Sequence, residues 1–290
     1  MNTNDLYREI KRKISGYAEQ DEAIKAVIAI GSSTRSDVPA DEYSDLDLII
    51  VTDSPDRWCS GEYQELFGNV SISFIEPTLG GGMERRCIYD DDKDVDMIIF
   101  TPEQFGKALR EGVAQWVMNR GYALLYDGGD YVELIPKFVT PVVSRSKMNE
   151  EEFANTVNDF YFHNIWACKK LRRGELWSAK MCIDSYLKNL LLKMIEQYQL
   201  CISDADVWHD GRFLDRWADS TVTDELKDCF AHYDNEDCKR AIAATHRLFA
   251  RLARAVADKS GHAYPERAEK CAMAYIISTT NIKGRTCKED

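Results

Sequence analysis

Two aspartates, Asp45 and Asp47, stand at the mouth of an otherwise apolar strand in the stretch IGSSTRSDVPADEYSDLDLIIV. Residues two apart on a strand face the same side, so both carboxylates aim at one point while Leu46 and Leu48 pack behind. An uncompensated carboxylate is costly to bury, and two converging on one point require a cation. Mg²⁺ suits them, because this hard ion takes a few carboxylates and completes its shell with water and phosphate oxygens. A nucleoside triphosphate is the usual source of those oxygens. Just upstream, Gly31-Ser32-Ser33-Thr34 leaves a strand in a small-residue turn, where backbone N–H groups and hydroxyls can approach phosphate closely. Arg35 can add a bidentate phosphate contact. A third acid, Asp96, opens the apolar run VDMIIF. If its strand neighbours that of Asp47, three carboxylates converge, a set suited to in-line phosphoryl displacement and to removing a proton from an attacking hydroxyl.

Such a constellation needs a sheet to hold it, and the first half of the chain reads as one backed by helices. Leu6, Ile10 and Ile14 at helical spacing predict a helix over residues 4–18, and AIKAVIAI predicts a strand ending at Gly31. Residues 46–51 and 70–75 read as further strands; after the turn PTLGGG, residues 84–89 and 95–100 are expected to pair across DDDKD. Thr101-Pro102-Glu103 offers the start of another helix. The second half is helical in texture. Asn149 with Glu152 forms a capping box, and Phe153, Val157, Phe160, Ile165, Cys168 and Leu171 share one apolar face up to Gly174. Helices are also expected over residues 176–194, 223–232, 236–261 and 265–277. Ser, Lys and Pro accumulate around residues 141–149. The expected fold class is therefore α+β, with an N-terminal domain (1–145) built on a mixed twisted sheet with flanking helices and a C-terminal α-helical bundle domain (146–290).

A chain of 290 residues, 44% hydrophobic and 30% charged, has material for two cores. No apolar run reaches the ~18 residues of a membrane span, and MNTNDLYREIKRKI has no apolar block of a secretory signal. A cytoplasmic location is expected. Nine scattered cysteines, from Cys59 to Cys287, include no C-x-x-C pair and no histidine at zinc spacing, which predicts reduced structural thiols. The net charge of −12 disfavours nucleic acid and anionic membrane as partners and suits a polycationic small molecule.

Gly31-Ser32, Asp45-x-Asp47 and Asp96 on an apolar strand together resemble the signature of the DNA polymerase β-type nucleotidyltransferase superfamily. Within it the likeness is to the aminoglycoside 6-adenylyltransferases, which act on streptomycin. YDDDKDVDMII resembles that family's F-x-D-G-x-R-I-D-L strand pair, and ACKKLRRGELWSAKMCID resembles its A-K-G-L-W-R-x-E-x-x-Y-A-K-x-M-x-D. GRFL (211–214) and HAYP (262–265) fit as well. The family's G-S-R-T is replaced here by G-S-S-T-R, and its F-x-D-G-x-R by YDDDKD. The resemblance implies an N-terminal nucleotidyltransferase domain and a helical substrate-binding domain. It makes Asp45 and Asp47 Mg²⁺ ligands, Asp96 a third catalytic carboxylate, and Gly31, Ser32, Ser33 and Arg35 the triphosphate site. Lys169 and Lys180 match family lysines facing the nucleotide, while Glu175 and Asp184 match positions that face the cationic antibiotic or order the helix pair.

The activity implied is Mg²⁺-dependent transfer of AMP from ATP to a hydroxyl of an aminoglycoside, the 6-OH of streptomycin, with release of pyrophosphate and hence antibiotic resistance. A monomer is the expected state. Two alternatives stand beside it: the same chemistry on another acceptor, such as a lincosamide or a protein side chain, and a regulatory protein that binds nucleotide without catalysis. Among the remaining residues, Tyr161, Phe162, His163 and Trp166 are expected in the core and Glu76 on the surface. Asp90–Asp92 reads as a solvated turn, and His209 and His246 have no assigned place.

Overall fold

Runs of Ile, Val and Leu bounded by Gly, Pro, Asp and Ser make six strands in the first of two units. The computed structural model describes residues 7–35, 40–90, 92–141, 146–207 and 209–280; the chain divides into Met1–Val143 and Ser144–Asp290.

The first unit runs α1 (Arg8–Ala18), β1 (Ile24–Ile30), β2 (Leu46–Thr52), α2 (Pro55–Cys59), β3 (Val70–Pro77), β4 (Met83–Tyr89) and β5 (Asp94–Phe100). Then follow α3 (Pro102–Arg110), α4 (Val113–Met118), β6 (Ala123–Asp127) and α5 (Tyr131–Leu134). The sheet order is β3-β4-β5-β2-β1-β6. β2 and β5 are parallel, and every other neighbouring pair is antiparallel. The hairpin expected across DDDKD forms, closed by Tyr89 N–H donating to the Lys93 carbonyl at 2.9 Å. Asp90 and Asp92 are exposed there, and Asp91 lies outside the described residues.

Strand periodicity divides the side chains between two cores. Val27, Ala29, Leu46, Leu48, Ile50, Val95, Met97 and Ile99 pack under α1 with Trp58, Tyr63 and Phe67. Ile28, Ile30, Ile49, Val51 and Phe100 face Phe105, Leu109 and Tyr131 on the other side. Asp47 and Asp96 alternate with the first set and so belong to the second face, at the end of the sheet where β2 and β5 begin. β6 and α2 are not announced by pattern, since ALLYD is too short to show alternation and α2 spans barely more than a turn.

The second unit comprises α6 (Glu150–Arg172), α7 (Leu176–Met181), a π-helical turn at Cys182–Tyr186, α8 (Leu187–Ile202), α9 (Leu214–Trp217), α10 (Ser220–Leu226), α11 (Asn235–Ser260) and α12 (Glu266–Thr280). The capping box is present: Glu152 N–H donates to Asn149 Oδ1 and Asn149 N–H to Glu152 Oε2, both at 2.9 Å. The helix expected from residue 176 continues through the π turn to Ile202, eight residues beyond the expected end at Met194. The helix expected over residues 223–232 instead begins at Ser220, because the Asp219 carboxylate caps it by accepting from Thr221 N–H. It tightens into a 3₁₀ turn at Lys227–Cys229, beyond which Phe230 is extended.

The helical core stacks Phe160 on Phe249 with ring centroids 3.6 Å apart. Of the aromatic set expected inside, Tyr161 is buried, His163 and Trp166 are half-buried, and Phe162 is 63% exposed. α6 places Phe162 one residue past the buried stripe, and a helix shows only one face to its core. The eight described cysteines are free thiols; Cys287 and the His209 side chain lie outside the described residues. No helix among the described residues is long and apolar enough to cross a membrane.

His246 sits wholly inside this core, 5.3 Å from the Tyr161 ring, and neither ring nitrogen has a hydrogen-bond partner. Burial lowers its pKa to about 4; Glu269 raises it and Arg247 lowers it further. The neutral ring is therefore what the fold accepts. Its contribution to stability is complete above pH ~6.5 and is lost as pH falls through about 4, a change on the order of 3 kcal/mol. Thermal midpoints measured from pH 7 to 4 should fall less steeply for His246→Phe than for the wild type; parallel curves would contradict this.

Candidate active site

β1 pairs with β2 so that Ile30 lies opposite Asp47, and β2 pairs with β5 so that Asp47 lies opposite Asp96. Asp45, two residues before Asp47, precedes β2 on the same parity. The result is that one carboxylate oxygen from each of Asp45, Asp47 and Asp96 lies within 4.8 Å of the other two. Asp45 and Asp47 are half-buried and Asp96 is 4% exposed.

Gly31 ends β1 with φ +68°, a conformation that favours glycine. A Cβ there would stand 2.0 Å from Asp47 Oδ2, so the missing side chain is the space the carboxylate occupies. A 3₁₀ turn follows at Gly31–Thr34. Its hydroxyls shape it: Ser32 donates to the Asp45 carbonyl at 3.3 Å, Ser33 to Ile30 at 3.2 Å and Thr34 to Gly31 at 3.0 Å. Gly121 approaches from behind, where a Cβ would meet the Thr34 carbonyl at 2.7 Å. Arg35, half-buried, closes the turn. Tyr7 anchors the loop into β2, its hydroxyl donating to the Ser44 carbonyl at 2.7 Å and accepting from Asp94 N–H at 3.4 Å.

The structure adds Arg86, which the sequence pattern leaves indistinguishable from its neighbour Arg85. Register separates them. Arg85 turns to the first core's side, donating to Ser73 Oγ at 2.7 Å and to the carbonyls of Trp58 and Cys59. Arg86 lies opposite Asp96, with Nη1 3.4 Å from Asp96 Oδ2, Nη2 2.9 Å from Glu84 Oε1 and Nε 3.1 Å from Glu76 Oε1. Glu76, expected merely at the surface, is thus a half-buried member of this ion cluster.

Burial pushes the Asp96 carboxyl up to about 7; Arg86 pulls it back, while Asp47, Asp94 and Glu84 push the same way as burial. Asp94 is also raised, by burial and by Asp45. Asp96 Oδ1 is buried without a hydrogen-bond partner. Three converging carboxylates, one of them with a desolvated and unpartnered oxygen, fit a hard divalent cation.

The other residues singled out from sequence lie in the helical unit. Lys169 is exposed, its Nζ 5.7 Å from the Tyr275 ring centroid. Lys180 is bonded to Asp184, one helical turn on, and donates to the Ala231 carbonyl at 2.5 Å. Asp184 accepts from Ala231 N–H at 3.2 Å. Glu175 pairs with Lys170 and with Arg173. The π turn between Lys180 and α8 was hidden in an ordinary helical pattern. It carries Tyr186, whose hydroxyl donates to Asp159 Oδ2 at 3.0 Å, while His163 Nδ1 lies 2.7 Å from Asp159 Oδ1.

Comparison with known proteins now adds to the geometry. A family model described as streptomycin adenylyltransferase matches residues 6–279. An aminoglycoside 6-adenylyltransferase of Bacillus subtilis (strain 168) is 21% identical over 265 residues, 86% of this chain and 89% of its own length. One of Campylobacter jejuni is 22% identical over 195 residues, 65% of each chain. Among solved structures, an aminoglycoside 6-adenyltransferase from Bacillus subtilis aligns over 97% of this chain and 99% of its own, with 15% identity and a TM-score of 0.47.

Proposed function

Because this chain belongs to the streptomycin adenylyltransferase family, we propose that it transfers AMP from ATP to the 6-hydroxyl of streptomycin, with Mg²⁺ as cofactor and pyrophosphate as leaving group. The chain is a nucleotidyltransferase, and its relatives are named for adenylylation of aminoglycosides. The observation that carries the finer reading is the convergence of Asp45, Asp47 and Asp96 beside a residue that must be glycine.

Asp45 and Asp47 would hold the metal ion, which when bound supplies neutralisation of charge on the phosphoryl oxygens. The turn from Gly31 to Ser33 would offer backbone N–H groups to the triphosphate, and Arg35 a charged contact. Asp96 would accept the proton of the attacking hydroxyl. An oxygen–phosphorus bond to the α-phosphorus forms, the bond from that phosphorus to the bridging oxygen breaks, and pyrophosphate leaves with the electron pair. The first unit would thus be the catalytic domain and the helical unit the one that binds the antibiotic.

On the helical unit Lys169 remains the lysine suited to phosphate. Lys180 and Asp184 neutralise each other and bind the Ala231 peptide, and Glu175 is satisfied by Lys170 and Arg173; these three would order the helices. For a guanidinium-bearing sugar, Asp159, which lines a pocket with exposed Phe162 and is bonded by Tyr186 and His163 but by no Lys or Arg among the described residues, would be the better-suited acid. The net charge of −12 would favour such a cation further. Action as a cytoplasmic monomer completes the reading.

Purified protein with ATP, Mg²⁺ and streptomycin should yield streptomycin heavier by one adenylyl group and an equal amount of pyrophosphate. Unchanged streptomycin alongside an adenylylated lincosamide or protein would move the activity to that acceptor. ATP binding with no transfer to any acceptor would replace the enzyme by a nucleotide-binding regulator.

A further inference from the structure

We propose that Arg86 is the positioning residue for Asp96, holding one carboxylate oxygen so that the other is presented, unbonded, to the metal-and-hydroxyl site. The inference deepens the transferase reading and rests on it. Three features carry it.

The first is register. Asp47, Asp96 and Arg86 lie side by side on three adjacent strands, β2, β5 and β4. Side chains directly opposite on paired strands share a face, so Arg86 flanks Asp96 on one side as Asp47 does on the other. The second is the division of labour between the Asp96 oxygens. Oδ2 faces the guanidinium at 3.4 Å, whereas Oδ1 is buried with no hydrogen-bond partner. A buried carboxylate with both oxygens free can turn about its terminal torsion, whose wells are broad; an ion pair on one oxygen biases that torsion toward one setting. The third is the support given to Arg86 itself. Glu84, two residues back on β4, and Glu76, paired with Glu84 across β3, form ion pairs with Nη2 and Nε, although the buried Nε makes no hydrogen bond. Carboxylates near three nitrogens of the planar guanidinium favour the orientation that turns Nη1 toward Asp96.

The arrangement also answers an electrostatic need. Asp94, Asp96, Asp47 and Asp45 crowd the ends of two strands, and Arg86 is the cation whose charge acts on Asp96 there. Burial opposes its charge, but Asp96, Glu84, Glu76 and Asp47 together hold Arg86 above its ordinary range, so it stays protonated. Arg86 is 42% exposed along its side chain, yet it does not need to touch substrate to act.

The test uses the full chain with Mg²⁺, ATP and streptomycin. Arg86→Gln should lower kcat by about tenfold or more while KM for ATP stays within about twofold, because positioning is expressed in the transition state. Arg86→Lys, which keeps the charge but not the fork, should recover part of the loss. The double variant Glu76→Gln with Glu84→Gln should show a smaller fall in kcat. Crystal structures of the wild type and Arg86→Gln supply a readout free of turnover: the Asp96 carboxylate should leave its wild-type rotamer in the variant.

Unchanged kcat in Arg86→Gln overturns the inference, as does a raised KM for ATP with kcat retained, which would make Arg86 a phosphate ligand instead. An unmoved Asp96 overturns it as well. Should the wild type adenylylate no acceptor, the transferase reading fails by itself, and the rotamer comparison still decides whether Arg86 positions Asp96.

Discussion

Asp47→Asn is expected to reduce adenylyl transfer by about three orders of magnitude or more while leaving the thermal midpoint nearly unchanged. The substitution is nearly isosteric, so the pairing of position 47 with Ile30 and Asp96 survives. What disappears is one of the two charges assigned to the metal. The size of the stability effect distinguishes this account from a structural one. Asp47 raises the pKa of Asp96 by like-charge repulsion, and this opposes its attraction to Arg86, so removing its charge should cost the folded state little. A structural aspartate would behave oppositely, with activity falling only as the fold is lost. The checks are steady-state kinetics and a thermal melt of the same preparation.

Gly31→Ala should be as damaging to turnover for a different reason and should also destabilise. A side chain at φ +68° carries a backbone cost of about 1 kcal/mol. The new methyl would stand 2.0 Å from Asp47 Oδ2, so the carboxylate must leave its place. A stability loss of roughly 1–3 kcal/mol is expected with the near-abolition of transfer. Comparing it with Asp47→Asn separates the two causes: both lose catalysis, but only Gly31→Ala lowers the melting midpoint. Full activity in Gly31→Ala would mean that Asp47 need not occupy the position seen here.

The carboxylate triad was legible because strands of Leu, Ile and Val make an intruding aspartate conspicuous, and because a period of two fixes its face. Asp45, Asp47 and Asp96 needed only the adjacency of β2 and β5 to converge. The turn at Gly31 was legible for a similar reason, as small residues follow an apolar run. Arg86 was not, since it follows Arg85 in a strand of mixed polarity, and only the β4–β5 register tells which of the two faces the acids. Glu76 and Glu84 were hidden with it. The spacing of Lys180 and Asp184 permits an ion pair, but the bond of both to the Ala231 peptide joins positions about fifty residues apart, which no local pattern reports. The π turn at Cys182–Tyr186 left no mark either, because one extra residue in a helical turn does not break a helical composition. The short edge strand β6 was missed because five residues carry too little alternation to register.

The central claim is that three acids from two strands and the loop before one of them form a divalent-metal site, and soaking crystals with Mn²⁺ and a non-hydrolysable ATP analogue tests it most directly. The account predicts an anomalous Mn²⁺ peak about 2.1 Å from oxygens of Asp45 and Asp47, beside Asp96, and its loss in Asp47→Asn. Manganese bound elsewhere on the chain, or at the same place and occupancy in Asp47→Asn, would contradict it.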